Sequence, residues 1–154
     1  MVEQPELSEI EWAYLAGLID GEGAVNIDRT VKQQGRYTVY RPSLSIASTT
    51  PVLIDWCYER LPNGSRYVAP QKNPRWAPQH RVLWVYRAAL HILRSVRPYL
   101  VLKGDQADIV LGMPLSENGR WGFTDEIRAG QIEAWEAIRA VRRSKGPAPK
   151  EVSV

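Results

Sequence analysis

The sequence contains a single cysteine, Cys57, and no long apolar run, and each shortage excludes a class of protein. One cysteine cannot form a disulfide within the chain, which fits a reducing compartment. No apolar stretch approaches the length of a membrane span, and no charged start leads into the apolar core of a secretion signal. We therefore expect an intracellular protein that has no membrane partner.

Acidic residues are scarce in the middle of the chain. Between positions 29 and 87 the only acids are Asp55 and Glu59. The basic residues of the same span are Arg29, Lys32, Arg36, Arg41, Arg60, Arg66, Lys72, Arg75, Arg81 and Arg87. The whole chain carries a net charge of only +3, so the basic residues are concentrated here. Such a segment predicts contact with phosphate groups, although an ordinary solvated basic face would have the same composition.

The chain is large enough to fold as one domain. It has 154 residues, of which 44% are hydrophobic, so it can bury a core without disulfides or a structural metal. We predict a single domain over residues 1–145 and a frayed tail over residues 146–154.

The spacing of apolar residues predicts an α+β fold. Ser8 and Glu11 form a capping box that starts a helix, which the two glycines after Asp20 end. Alternating residues then predict two hairpins of antiparallel strands, over 24–31 with 37–47 and over 65–70 with 79–86. Further helices are predicted over 50–62, 88–96, 100–111 and 125–143, with Thr50 and Thr124 as their caps. Helices on one side of the four-stranded sheet would leave its other face polar and free.

Residues 15–23 read LAGLIDGEG. This segment resembles the nonapeptide that defines the LAGLIDADG homing endonucleases, with Gly at the seventh position and Glu at the eighth. It ends a helix near the start of the chain and leads into a strand, as it does in that family. Residues 98–103 read PYLVLK and are similar to a stretch of the single-motif members that ends in an active-site lysine.

The resemblance implies a role for each polar residue of the motif. Glu22 and the backbone carbonyl of Gly21 would bind Mg²⁺, with Mn²⁺ as an alternative, because hard cations prefer oxygen ligands. Lys103 would help to organise the attacking water. Asp20 belongs to the same catalytic set, with the structural task of holding the helix end.

Some family members complete the site with a Gln and an Arg near the start of the second helix. The corresponding positions are approximately Thr50 and Ile54. Since an isoleucine cannot replace an arginine, we expect the outer part of the site to differ or to use another basic residue.

Small residues lie on one face of the first helix. Ala13, Ala16, Gly17 and Asp20 stand at i, i+3, i+4 and i+7, a spacing that permits close packing against another helix. The resemblance implies that this face meets the same face of a second copy, so that the motif helix lies at the dimer axis. Packing inside its own subunit is the alternative. Because one motif supplies one carboxylate, cutting both strands of a duplex implies a C2 homodimer.

The phase of the first strand follows from Glu22, whose side chain must face DNA. A two-stranded ribbon fits the major groove, and its polar residues can read bases or bind phosphates. The residues predicted to contact DNA are Asn26, Asp28, Thr30, Lys32, Arg36, Arg41, Ser43, Ser45, Arg66, Lys72, Arg75 and Arg81. The phase of residues 79–86 is ambiguous, since both of their faces are apolar. We place Trp84 inward and Arg81 outward.

The sequence therefore predicts an intron-borne homing endonuclease whose homodimer hydrolyses both strands of a long, near-palindromic double-stranded DNA site. One alternative is a catalytically idle DNA- or RNA-binding derivative of the same fold, such as an intron splicing helper or a regulator. The presence of both Glu22 and Lys103 favours the nuclease. Another alternative is an unrelated interaction domain, which would leave the polar hairpin faces and the basic segment unexplained.

Overall fold

The computed structural model describes residues 6–116 and 123–144. Its helices are α1 (Glu9–Glu22), α2 (Pro51–Arg60), α3 (Tyr86–Val96), α4 (Gly104–Gly112) and α5 (Asp125–Ser144), and its strands are β1 (Gly23–Lys32), β2 (Tyr37–Ser48), β3 (Ser65–Ala69) and β4 (Gln79–Val85). The strands form one antiparallel sheet in the order β1-β2-β4-β3. The α+β prediction with two hairpins is confirmed. The tail predicted over 146–154 lies outside the described residues.

Helix α1 begins with the predicted capping box. The Ser8 hydroxyl accepts a hydrogen bond from the backbone of Glu11, whose carboxylate accepts one from the backbone of Ser8. The hydrogen bonds that the Glu11 carboxylate accepts from the backbone and the hydroxyl of Ser8 hold the pKa of Glu11 below its ordinary value. The helix ends at Glu22, within the segment 20–23 where the sequence predicted its end. The chain then enters β1 directly at Gly23, where a Cβ atom would lie only 2.7 Å from the Cα of Ile19. Gly23, the last residue of the motif, must therefore be a glycine, because the backbone of Ile19 leaves no room for a side chain.

One face of the sheet packs against the helices. Its buried side chains come from every strand except β3, and they include Val25, Ile27, Leu44, Ile46, Val82 and Trp84. Trp84 is 0% exposed and its indole nitrogen donates to the carbonyl of Leu61 at 3.5 Å. The inward prediction for Trp84 is confirmed, and the register of the ladder then fixes which residues lie on the opposite, open face.

One predicted helix cap and one predicted helix start are corrected. Thr50 stands at the cap position of α2 but makes no cap with its side chain, and its own N–H donates to the hydroxyl of Ser48 at 3.0 Å. The helix predicted over 100–111 begins only at Gly104, because residues 97–99 form a short 3-10 turn and residues 100–103 follow it as a non-helical bend. By contrast, Thr124 caps α5 as predicted, accepting from the backbone of Ile127 at 3.2 Å.

Candidate active site and nucleic-acid interface

The site begins at the carboxyl end of α1. Gly21 and Glu22 are the last two residues of the helix, and both are exposed. The next residue starts β1, so Glu22 stands at the junction between α1 and the edge strand of the sheet. This placement agrees with the geometry that the sequence predicted for the end of the motif.

Asp20 ties this junction to a distant part of the chain. Its carboxylate accepts hydrogen bonds from the backbone N–H groups of Val101, Leu102 and Lys103, at 2.8, 3.1 and 3.0 Å. These bonds hold residues 101–103 in a non-helical bend, so α4 starts later than predicted. Asp20 therefore positions the segment that carries Lys103, which is a structural task other than the predicted one of holding the helix end.

Lys103 reaches the end of α1 as well. Its ammonium group donates to the carbonyl oxygen of Ile19 at 2.7 Å and to that of Gly23. A cation is favoured at this position because the carbonyl groups at a helix carboxyl end carry partial negative charge. The loop is held from its other side by an ion pair between Arg97 and Asp108, which lowers the pKa of Asp108. Lys103 and Glu22 are thus brought to the same helix end, although they are far apart in the sequence.

The donor set fits a hard divalent cation only as an open site. Glu22 supplies a carboxylate, and Gly21 supplies a backbone carbonyl from the last turn of α1. Within residues 6–116 and 123–144 no three side chains of His, Cys, Asp or Glu are grouped so that they could hold a metal. Mg²⁺ commonly takes one or two carboxylates and completes its shell with water and phosphate oxygens. The chain therefore offers an open site, at which water and phosphate oxygens would complete the shell of a bound cation.

The open face of the first hairpin carries the predicted polar residues. The register places Asn26 opposite Ser43 and Asp28 opposite Arg41, all pointing away from the helices. Arg41 pairs with Asp28 at 2.8 Å, and the amide of Asn26 donates to Asp28 at 3.3 Å. Ser43 has the expected phase but is only 4% exposed, because it lies in the middle of the sheet.

The remaining predicted residues of the first hairpin also lie on its open face or at its tip. Thr30 and Lys32 continue the outward row of β1 and are exposed, while Ser45 continues that of β2 and is half-buried. Arg36 follows the 3-10 turn that connects the strands and is exposed.

The second hairpin corrects one prediction. Arg66 lies opposite the buried Val82, so its side chain is on the helix side of the sheet. There it forms an ion pair with Asp55 of α2. The outward residue of β3 is instead Tyr67, which pairs with Arg81 of β4. The outward prediction for Arg81 is confirmed.

The loop between β3 and β4 carries the last two predicted DNA contacts. Lys72 and Arg75 are both exposed in this loop, next to Trp76, which is 63% exposed. Asn73 organises the turn, since its side chain accepts from the backbone of Arg75 at 3.0 Å.

The predicted dimer face of α1 also needs one correction. Ala16 is 0% exposed, because it packs into the core of its own subunit beside Leu15 and Ile19. Ala13 and Gly17 are exposed, as predicted. The exposed face consists of Ile10, Ala13, Tyr14, Gly17 and Gly21. A Cβ atom at Gly17 or Gly21 would meet nothing within 4 Å, so this face is open to a partner.

Sequence reasoning missed a contribution from the last helix. Arg142 of α5 donates to the side-chain oxygen of Asn26 at 3.2 Å. It also lines an open cleft of about 650 Å³ together with Asp20, Leu102, Lys103 and Gln106. Ile54, where the family pattern has an arginine, is 0% exposed and cannot contribute to this cleft. The only available signal was the run of arginines that ends α5.

No protein-family model and no curated protein matches the sequence. Solved structures do match. The homing endonuclease I-CvuI in complex with DNA shares 21% identity and a TM-score of 0.65 over 94% of this chain and 87% of that one. The archaeal intron-encoded homing endonuclease I-Vdi141I complexed with DNA shares 13% identity and a TM-score of 0.63 over 94% and 90%. The group I intron-encoded homing endonuclease I-CeuI complexed with DNA shares 14% identity and a TM-score of 0.65 over 97% and 73%.

These matches extend along almost the whole chain, so the likeness is one of complete fold and not of a local motif. The chain has the fold of the LAGLIDADG homing endonucleases. None of its described helices is both long and apolar enough to cross a membrane.

Proposed function

We propose that this protein is a site-specific homing endonuclease that hydrolyses both strands of a long, near-palindromic DNA duplex with divalent cations. The observation that carries the proposal is the position of Glu22. Its carboxylate ends α1, beside the helix end that binds the Lys103 ammonium and at the edge of an open polar sheet. The Glu22 carboxylate, the Lys103 ammonium and the open face of the sheet thus meet at the end of α1.

The sheet face is suited to duplex DNA. Its first hairpin presents amide, carboxylate, hydroxyl and guanidinium groups, which can pair with base edges in the major groove. Cations at the exposed tips, Lys32, Arg36, Lys72 and Arg75, are placed to bind the flanking phosphates. The alternation of polar and apolar residues along β1 and β2 leaves these groups available to the nucleic acid while the opposite side of the sheet is packed.

We propose further that two copies assemble through α1. Ile10, Ala13, Gly17 and Gly21 stand at i, i+3, i+7 and i+11 on its exposed side. The two glycines allow helix backbones to approach closely, and the isoleucine, 82% exposed, would become buried. A twofold axis along this face would bring two Glu22 carboxylates together, one for each DNA strand.

The residues of the chain would share the chemistry with a bound ion. Glu22 and the Gly21 carbonyl would hold the divalent cation, which supplies charge neutralisation at the phosphate and a more acidic water. Lys103 would stabilise the negative charge that develops on the phosphate oxygens. Asp20 keeps Lys103 in place through the three backbone bonds of its loop.

Selection of cleaved sites from a randomised duplex library, with Mg²⁺ or Mn²⁺, tests the activity. The wild type should cleave a defined site, and Glu22→Gln should lose at least about 1,000-fold in single-turnover rate while still binding it. Glu59→Gln is the matched control, because Glu59 is an exposed carboxylate on α2 outside the site. Undiminished cleavage by Glu22→Gln would refute the assignment. Binding without cleavage by the wild type would identify an idle derivative of the fold.

The mass of the particle tests the assembly. We expect a dimer in solution or on the duplex, and Gly17→Leu should dissociate it because the added side chain separates the two helices. A monomer at every concentration, free and on DNA, would exclude the homodimer.

A further inference from the structure

Three arginines gather where α5 crosses the edge of the sheet. The guanidinium of Arg29, on β1, lies 5.3 Å from the ring centroid of Trp135, and that of Arg139 lies 4.5 Å from the same ring. Arg142 is one helical turn after Arg139 and lines a common notch with Arg29, Trp135 and Arg139. One indole therefore holds two cations close to each other, and a third stands next to them.

These charges are not neutralised by the described part of the chain. The ion pairs found within residues 6–116 and 123–144 use Arg41, Arg60, Arg66 and Arg97, and none uses the three arginines of the notch. Asp28 lines the notch, but both of its oxygens are engaged, one by Arg41 and one by Asn26. Like charges held together in this way are stabilised by an anion.

Arg142 connects the notch to the candidate active site. On one side its guanidinium donates to Asn26, on the open face of β1. On the other side it lines the cleft that contains Asp20 and Lys103. A ligand bound here would therefore touch both the DNA-facing sheet and the end of α1.

We propose that Arg29, Arg139 and Arg142 form a binding site for a DNA phosphodiester group beside the cleaved bond. The inference rests on the proposed nuclease function. Guanidinium groups match the oxygens of a phosphate in a planar, two-bonded geometry, which favours phosphate over a base edge. The notch lies at the edge strand β1, where Arg29 reaches it from the helix side of the sheet and Asn26 from the open side, so a DNA backbone that passes this edge can enter it. Arg142 would also supply the positive charge that buried Ile54 cannot provide.

The salt dependence of DNA binding tests the site. A duplex recovered from the same randomised library by its binding to the wild type in Ca²⁺ is titrated with wild type, Arg139→Ala, Arg142→Ala and Arg142→Lys at several salt concentrations. Each lost phosphate contact reduces the slope of log K against log salt by about 0.9, or about 1.8 for a homodimer. We expect this reduction for Arg142→Ala and Arg139→Ala, and a nearly wild-type slope for Arg142→Lys.

Single-turnover cleavage in Mg²⁺ measures the second consequence. Arg142→Ala should slow the reaction by about 10- to 100-fold at saturating enzyme, because a phosphate next to the scissile bond is no longer held in place. Arg139→Ala, which is farther from the cleft, should be slowed less. Arg128→Ala is the control on the same helix, since this exposed arginine lies about 20 Å along α5 from Arg142. It should change neither the slope nor the rate.

The outcomes separate the two proposals. Wild-type slopes in both Arg139→Ala and Arg142→Ala, with cleavage intact in the wild type, would overturn the phosphate site alone. A wild type that binds the duplex without cutting it would overturn the nuclease, and the slopes would still decide the phosphate site. Absence of duplex binding by the wild type would overturn both.

Discussion

The two hairpins of the sheet differ in what they present to solvent. On the first, Asn26, Asp28 and Arg41 form a continuous polar network, which Arg142 extends into α5. On the second, the outward residues of β4 include Leu83 and Val85 as well as Arg81, and those of β3 include Tyr67. Polar groups with fixed geometry discriminate between bases, whereas apolar and aromatic groups mainly fill space. Under the proposed function, the first hairpin would determine specificity near the cleavage site and the second would mainly add affinity.

The hairpins also differ in how they are anchored. The first begins at Gly23, immediately after the last residue of α1, so any shift in β1 is passed on to Glu22. The second begins near Gly64, in the turn after α2. A Cβ atom added at Gly64 would contact only side-chain atoms, those of Trp84 and Val82. The same substitution, glycine to alanine, should therefore have unequal consequences at the two starts.

The largest effect is expected for Gly23→Ala. Its Cβ would lie 2.7 Å from the Cα and 2.8 Å from the carbonyl oxygen of Ile19, which are backbone atoms that cannot move without unwinding the last turn of α1. We expect a loss of about 2–4 kcal/mol in the free energy of unfolding and loss of cleavage, because Glu22 lies in that turn. Urea denaturation and single-turnover cleavage measure the two effects.

Gly64→Ala is the matched variant in the second hairpin. Its Cβ would approach the indole nitrogen of Trp84 at 2.8 Å and a methyl group of Val82 at 2.9 Å. These buried side chains can shift slightly, so we expect a loss of about 1–2 kcal/mol with cleavage retained in the folded fraction. Equal losses of cleavage in both variants would contradict the difference in anchoring.

A smaller effect separates two arginines, one from each hairpin. Arg41→Ala should weaken binding to the selected duplex by about 10-fold, because it removes a cation from the open face and leaves Asp28 unpaired near the phosphates. Arg66→Ala should leave binding within about twofold and lower the free energy of unfolding by less than about 1 kcal/mol, since its partly exposed pair with Asp55 is on the helix side. Fluorescence anisotropy and urea denaturation measure these changes, and a 10-fold loss of affinity in Arg66→Ala would restore the original outward assignment.

The same two arginines show how far the sequence predicts the site. In the first hairpin, Val25 and Ile27 alternate with polar residues, so burial of the apolar set fixes the outward phase of Asn26 and Asp28. In the second, β3 reads SRYVA and has no comparable alternation. Charge alone suggested that Arg66 faces DNA. Its actual partner, Asp55, belongs to α2, and a helix–strand contact of this kind leaves no local pattern.

Long-range contacts explain the other errors. The helical period groups Ala13, Ala16 and Gly17 correctly, but the burial of Ala16 depends on the elements that pack against α1. Helix α4 starts later than predicted because Asp20 accepts hydrogen bonds from three backbone N–H groups more than eighty residues away. Arg142 meets Asn26 across 116 residues of chain. The motif predicted the fold and the position of Glu22, whereas these contacts required the assembled structure.

The smallest expected effect is that of the Cys57 thiol on stability at neutral pH. Cys57 lies in α2, the helix that connects the two hairpins. Burial raises the pKa of Cys57 from 9.0 to about 11, although nearby Arg60 opposes the shift. The pKa of Cys57 is therefore higher in the folded chain than in the unfolded chain. The neutral buried thiol contributes its full stability at pH values below the unfolded pKa, and this contribution is lost as the pH rises through the folded pKa. We expect no change in the free energy of unfolding from this group between pH 7 and 8, and alkylation at pH 8 about 100-fold slower than for an unfolded chain. Iodoacetamide labelling followed by mass spectrometry measures the rate, with urea-unfolded protein as the control. Labelling as fast as in urea would mean that α2 opens in the native state, so the second hairpin would be looser than its packing indicates.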